Sequence, residues 1–344
     1  MADVTVLGAG IFGLSVAWAC VQRGAKVRVI DPHGPGAGSS GGIVGALAPH
    51  VPEQWNEKKA FQLDSLLMAG NFWAEVEAAA GLSAGYARLG RLQPVADAAA
   101  LELARARALS AMDLWRGQAE WEVLRADTCG AWVPHSLSGW LIHDTLTARL
   151  HPRQACAALV AALHAKGAEV VADHPAEGRV IHATGVAGLE EANTRLPRTF
   201  GNGVKGQAAL LALDMRDAPQ LFVDTVHIVP HADGTVAIGS TSERTYDNAT
   251  ATDGQLDGII ARARAAVPAL RDAPVIARWA GLRPRSRSRA PVLGAHPVHM
   301  GQYIANGGFK IGFGMAPKVA QVMADLVLGG VDNIPAGFRP EASL

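Results

Sequence analysis

The sequence predicts an α/β chain, α+β overall, in which a lobe on a parallel sheet interleaves with a second lobe on an antiparallel sheet. Three observations carry this. An apolar tetrapeptide runs into a glycine turn and an apolar helical stretch near the start, the unit from which parallel sheets are wound. After Gly206 the hydrophobic period changes to two, the signature of strands with one buried face. The 344 residues also exceed what one core usually supports.

Composition narrows the classes. The 31 basic residues balance 31 acidic ones, so the chain offers no general field for a nucleic acid. The 38 glycines sit within apolar segments rather than polar tracts, which argues for shaped turns and against disorder. Cys20, Cys129 and Cys156 are far apart, without Cys-x-x-C or a histidine at ligand spacing. We therefore expect no disulfide, no metal and a reducing, cytoplasmic setting. Val4 to Val21 is uncharged, but its three glycines and the lack of a basic leader favour a strand, turn and helix over a membrane span or signal.

Val4-Thr5-Val6-Leu7 is the first predicted strand. Gly8-Ala9-Gly10-Ile11-Phe12-Gly13 follows, then a helix over Leu14–Arg23 and a strand over Lys26–Ile30 that ends in Asp31. This is the Rossmann dinucleotide fingerprint in its structural setting. Gly8 makes the tight turn, Gly10 lets backbone approach a pyrophosphate, Gly13 lets helix pack on strand, and the helix N-terminus faces the phosphates. Asp31 accepts from ribose hydroxyls and repels a 2′-phosphate. NAD and FAD share the fingerprint. The small-residue run that includes Ser39-Ser40-Gly41-Gly42 can pass close to an extended cofactor and donate hydrogen bonds; the competing reading is a surface loop.

Helical spacing continues over Phe61–Ala80, Ala98–Gln118 and Leu150–Lys166. Glu169–Ala172 and Arg179–Ala183 read as strands returning to the parallel sheet, and Thr184-Gly185 brings backbone towards the cofactor. Gln207–Leu213, Val226–Pro230 and Thr235–Gly239 read as antiparallel strands, the last two joined by Ala232-Asp233-Gly234. A final helix is expected over Lys318–Leu328 with Pro317 in its first turn. Residues 1–60, 150–205 and 275–344 then form the nucleotide lobe, and 61–149 and 206–274 the substrate lobe.

Further blocks carry a resemblance: Gly45-Ala46-Leu47-Ala48-Pro49-His50, Val180-Ile181-His182-Ala183-Thr184-Gly185, Val204-Lys205-Gly206-Gln207, Trp279-Ala280-Gly281-Leu282-Arg283-Pro284, and Asn306-Gly307-Gly308 through Gly312-Phe313-Gly314-Met315-Ala316-Pro317. In their order and spacing the chain resembles the FAD-dependent D-amino acid oxidase family, nearest in pattern to the glycine oxidase and sarcosine oxidase-like amine oxidoreductases. The resemblance spans nearly the whole chain. It implies FAD, held non-covalently because no cysteine lies in the C-terminal flavin-contact blocks. It adds Gly281, Gly308, Gly312, Gly314 and Met315 to the cofactor residues, the last three at a helix start able to stabilise negative charge on the flavin through backbone N–H groups.

Arg283 lies in an apolar context, and the resemblance makes it the anchor of the substrate carboxylate; a structural ion pair is the competing reading. Ser288 stands where relatives often carry Asp. His227 occupies a position where similar oxidases can place an active-site tyrosine, against a core hydrogen-bonding role. Lys310 stands where related enzymes carry Arg beside the flavin, against a solvated loop cation. His50 receives no role, and Trp55, Trp73, Trp115 and Trp132 are expected to pack the substrate-lobe helices. His-Glu-x-x-His and Walker motifs are absent, and the Gly-x-Ser-x-Gly matches at Gly38–Gly42 and Gly81–Gly85 do not stand between a predicted strand and helix, so there is no nucleophile elbow and hydrolase and ATPase readings lack their chemistry.

The resemblance implies oxidation of glycine, sarcosine or a D-amino acid by hydride transfer to flavin N5, hydrolysis of the imine, and reoxidation by oxygen to hydrogen peroxide. The alternatives are a dehydrogenase that uses an electron carrier, a flavin domain acting on a modified tRNA base, and a non-catalytic flavin subunit. Neutral charge counts against the tRNA reading. Self-association stays open.

Overall fold

The computed structural model describes residues 1–344. Val4–Leu7 (β1), helix Ile11–Gln22 (α1) and Val27–Ile30 (β2) form the opening unit. Then come Ala46–Leu47 (β3), Glu57–Ala80 (α2), Arg91–Pro94 (β4), Ala98–Leu114 (α3), Trp121–Arg125 (β5), Trp140–Asp144 (β6), Ala148–Arg149 (β7) and Pro152–Ala165 (α4). Glu169–Val171 (β8), Arg179–His182 (β9), Gly185–Arg195 (α5), Gly201–Ala212 (β10), Gln220–Val223 (β11), Val226–Pro230 (β12) and Thr235–Gly239 (β13) follow. The chain closes with Gly254–Ala266 (α6), Val275–Ser286 (β14), Val292–Ala295 (β15), Tyr303–Asn306 (β16) and Gly312–Gly329 (α7).

Two sheets organise these elements. The six-stranded sheet has the order β15-β16-β9-β1-β2-β8, parallel except where β15 meets β16. Val4 and Val6 are fully buried, as strands covered on both faces by helices must be. The eight-stranded sheet has the order β14-β10-β13-β12-β11-β4-β6-β5 and is antiparallel except between β11 and β4. The fold is thus the expected mixed α/β architecture.

Local chemistry sets the helix ends. The Asn56 side chain accepts from Lys59 N at 3.1 Å and Asp97 from Ala100 N at 2.8 Å, capping α2 and α3. Gly81 ends α2 in the left-handed region, φ 65°. Four helix starts differ from expectation, among them those of α2, at Glu57 and not Phe61, and α4, at Pro152 and not Leu150. Helix α1 begins at Ile11, not Leu14, because extended Gly10 ends the turn. Helix α7 begins at Gly312, not Lys318, so Pro317 lies inside the helix and not in its first turn. Proline there forfeits one early hydrogen bond, while the buried residues Met315, Val319, Ala320 and Met323 hold the segment helical against the core.

Elements not anticipated include α5, α6 and the twelve-residue strand β14. The paired strands β10 and β14 both belong to the eight-stranded sheet. The expected lobe boundary at 205/206 falls within β10, and that at 274/275 assigns β14 to the nucleotide lobe although it pairs along the other sheet. Helix α2, Trp73 and Trp115 share one core with α1, α4 and α7, whereas Trp132 packs in the core beneath the eight-stranded sheet.

Candidate active site

The turn between β1 and α1 is crowded to the point where only glycine fits. Gly8 has φ 104°, and a Cβ there would lie 2.4 Å from the Ala183 carbonyl oxygen; a Cβ on Gly13 would lie 1.9 Å from the Gly8 oxygen. Asp31 accepts hydrogen bonds from Ala9 N at 2.8 Å and His33 N at 3.0 Å, so the carboxylate is fixed beside the turn. Ser40 Oγ accepts from Ile11 N at 2.9 Å and ties the small-residue loop to the start of α1.

From this turn a cavity of about 780 Å³ runs between the two sheets. Gly8, Gly10, Ile11, Phe12 and Asp31 are part of its lining. Ser39, Ser40, Gly42, Gly185, Gly281, Arg283, Lys310 and Phe313 line it too, as do Gly308 and Gly312, which lie against Phe12 and Ile11. Four expected cofactor residues stand behind this lining. Gly13 and Gly41 pack against backbone, Gly314 faces Leu66 and Leu47, and the Met315 side chain is fully buried in the core. The earlier start of α7 is the reason for the last two. The helix end that meets the cavity is Gly312-Phe313, which directs its first-turn N–H groups there.

The lining fits an extended flavin dinucleotide. It has an anchored acid beside the phosphate turn, backbone close to the space along its length, and glycines where a side chain would intrude. A Cβ on Gly281 would come within 2.6 Å of the Trp279 ring and one on Gly308 within 3.0 Å of Phe12 Cζ.

Arg283 projects from β14, opposite Val204 of β10, and its guanidinium lies over the Gly206 backbone, about 2 Å from where a Cβ would stand. Nη2 donates to Ser240 Oγ at 2.6 Å and Nη1 to the Thr241 carbonyl at 3.1 Å. No acid pairs with it, so the ion-pair reading raised by the sequence has no partner here. Burial pushes its pKa down to about 10, opposed by the charge of Glu243, and leaves a cation at the wall that lacks a counter-ion. Lys310 lines the same cavity; partial burial, then Arg283 and Arg285, lower its pKa.

His227 lies near this charge but behind the lining. Its ring centroid is 4.6 Å from that of Phe222, and its Nδ1 is buried without a hydrogen-bond partner. Burial first, then Arg91, Lys310 and Arg283, push its pKa down to about 3, so the imidazole is neutral across the working range. Arg91 itself is paired with Asp144 at 2.9 Å.

Sequence reasoning missed the network that holds Ser240 and Thr241. Gln207 Nε2 donates to Glu243 Oε1 and to Asp253 Oδ1, each at 2.9 Å. Thr241 Oγ1 donates to Glu243 Oε1, and Lys205 Nζ lies 3.1 Å from Asp253 Oδ2. Lys205 and Gln207 stood in a recognised block, but Thr241, Glu243 and Asp253 come from an irregular connection with no local signal.

Residues 3–326 match the family described as FAD dependent oxidoreductase, DAO. A glycine oxidase of Pseudomonas putida is 28% identical over 99% of both chains. A glycine oxidase of Bacillus licheniformis is 25% identical over 95% of this chain and 93% of its own. Among solved structures, glycine oxidase from Geobacillus kaustophilus superposes with a TM-score of 0.83 at 19% identity, covering 98% of each chain. Iminodiacetate oxidase from Chelativorans sp. does so at 0.83 and 22%, again over 98% of each, and these two structures share the fold. With the family match over nearly its whole length and a cavity shaped for the cofactor, the chain belongs to the DAO family of FAD-dependent oxidoreductases.

Proposed function

We propose that the protein oxidises the C–N bond of a small amine or amino acid to the imine, with glycine, sarcosine or a D-amino acid as leading substrates. The observation that carries this is Arg283: a cation at the cavity wall, held by a hydroxyl and a carbonyl, with its planar fork left for a carboxylate. When bound, FAD supplies the hydride acceptor, with oxygen as the proposed final oxidant and hydrogen peroxide as product. Asp31, the Gly8–Gly13 turn and the start of α7 are the residues to hold it. Non-covalent binding is supported by the thiols, since none lines the cavity and burial pushes Cys20 and Cys156 up to about 12.

The chain's own residues orient the substrate and set its charge. Arg283 fixes the carboxylate, which turns the neighbouring Cα–H towards the cavity. The positive field of Arg283 and Lys310 disfavours an ammonium and so favours the neutral amine whose lone pair can form the imine. Asp31, the one acid of the lining, is engaged by Ala9 N and His33 N, and His227 stands behind the wall, so the proton leaves the amine to water before the reaction.

Anaerobic absorbance titration with glycine, sarcosine and D-amino acids tests the reading, with bleaching of the flavin expected for at least one. Arg283→Met should keep FAD while lowering kcat/KM for that amino acid by roughly 30-fold to several thousand-fold, the cost of removing one partner of a buried charge pair. An amine without a carboxylate should lose far less. Equal losses for both would overturn the anchor role.

A further inference from the structure

A second cavity of about 320 Å³ adjoins the flavin cavity, and the two share Gly308 and Phe309 as a common wall. Every ionisable side chain in its lining is basic: His50, Lys58, Arg285 and Arg289. None of the three permanent cations has an acidic partner. Lys58 Nζ donates to the Arg289 carbonyl at 2.5 Å, and the Arg285 guanidinium sits 5.8 Å from the centre of the Phe309 ring. Burial and then Arg289 lower the pKa of Lys58; burial, Arg289 and Arg244 lower that of Arg285. These groups repel one another, and folding brings them together without compensation. Elsewhere on the molecule partly buried arginines find carboxylates, as Arg107 finds Glu53 at 2.7 Å and Arg339 finds Asp332 at 2.7 Å.

Strand geometry links this charge to the carboxylate anchor. Arg283 and Arg285 are two residues apart on β14, opposite Val204 and Asn202 of β10, so they leave the same face of the strand about 7 Å apart. Arg283 faces the flavin cavity and Arg285 the second one. Lys310 stands beside the shared wall, its Nζ 5.6 Å from the Phe309 ring centre. Cations thus continue from the anchor past Phe309 into the second cavity.

We propose that the second cavity is an oxyanion site that receives the distal acid of a substrate carrying two acidic groups, one carboxylate on Arg283 and a second carboxylate, phosphate or phosphonate among Lys58, Arg285 and Arg289. This rests on the reading of the first cavity as the place of amine oxidation. A free anion such as phosphate shares the chemistry and would occupy the same donors.

The test compares N-(2-carboxyethyl)glycine with its amide, N-(2-carbamoylethyl)glycine, in the FAD-loaded enzyme, and titrates inorganic phosphate calorimetrically. The wild type is expected to favour the acid by about 10-fold or more in kcat/KM, mainly through KM, since hydrogen bonds to charged groups are the stronger ones. In the Lys58→Gln/Arg289→Gln double variant, checked for unchanged flavin content and melting temperature, the preference should fall towards one. Phosphate should bind the wild type and compete against the acid substrate alone. Oxidation of both compounds at equal efficiency, or a preference unchanged in the double variant, overturns the inference while leaving the first reading in place. Failure of every amine to react, with phosphate bound and lost in the variant, overturns the amine-oxidation reading and leaves the oxyanion site. Should the double variant not fold, Arg289→Lys serves instead; it keeps the charge but loses the planar fork and should retain only part of the preference.

Discussion

Gly206 and Arg283 act as one unit. A methyl group on Gly206 would stand about 2 Å from the guanidinium, the flexible end of a side chain, so the backbone can stay while the cation moves. Gly206→Ala should therefore leave melting temperature and FAD content nearly unchanged and lower kcat/KM for a carboxylated substrate by about 100-fold, the usual scale for a displacement near 1 Å. Kinetics beside a thermal melt will check this; a large loss of stability with normal kcat/KM in the surviving fraction would count against it. The proton balance also belongs to single residues. His227, pushed down to about 3, stays neutral from acid to alkaline pH and adds no limb to the profile. We expect kcat/KM to rise with pH above neutrality as the substrate amine loses its proton, approaching tenfold per unit where the ammonium dominates. The same rise should persist in His227→Asn, and its disappearance there would make His227 the titrating group.

Among the elements, the β1–α1 turn carries the most constraint per residue. Gly8 combines φ 104° with a close approach to Ala183 at the end of β9, so it joins the first helix to the returning strand. Gly8→Ala should cost about 1–3 kcal/mol from backbone strain alone, more with the clash at the Ala183 oxygen, and weaken FAD retention. Chemical denaturation and the flavin-to-protein absorbance ratio measure both. A stable, fully yellow variant would show that the turn can relax.

At the scale of the whole molecule, histidines tie the six-stranded sheet to its flanking segments. His182 at the end of β9 stacks on His299, with ring centres 4.6 Å apart and planes 8° from parallel, and His296 packs against both. Two rings in separate parallel planes cannot both direct a lone pair at one ion, so the trio reads as a packed cluster, with His299 Nε2 2.8 Å from Glu191 Oε1 and His182 Nε2 facing Gln302 Oε1. Val298 N and His299 N both donate to His296 Nδ1, at 3.1 and 3.0 Å, leaving its hydrogen on Nε2. Burial, then its neighbours His182 and His299, push His296 down to about 4 from an ordinary 6.5. The unfolded chain takes up that proton before the folded one does, so stability is full above about 6.5 and is lost as pH falls towards 4. Melting temperature should fall across that window, by several degrees less in His296→Gln, whose side-chain oxygen can still accept the two backbone N–H bonds. Parallel curves would remove His296 from the account.

Local order in the chain was enough to establish the nucleotide unit. The strand, the three glycines, the helix and Asp31 lie within one short segment, and steric exclusion at Gly8 and Gly13 is a property that neighbours in sequence can announce. Period two after Gly206 likewise announced antiparallel strands, because alternation of buried and exposed faces is written residue by residue. The start of α7 was not legible, since Pro317 reads locally as a first-turn residue and only the buried face of Met315, Val319 and Met323 carries the helix back to Gly312. The pairing of β14 with β10, and with it the placing of Arg283 over Gly206, joins segments some 77 positions apart, Gly206 to Arg283. So does the hold of Ser240 and Thr241 on that guanidinium, and so does the gathering of His50, Lys58, Arg285 and Arg289 around one cavity. Turn sterics and hydrophobic period are short-range, so the sequence by itself determined them. The charge environment of a side chain depends on which distant elements fold around it, and only the tertiary structure decided that.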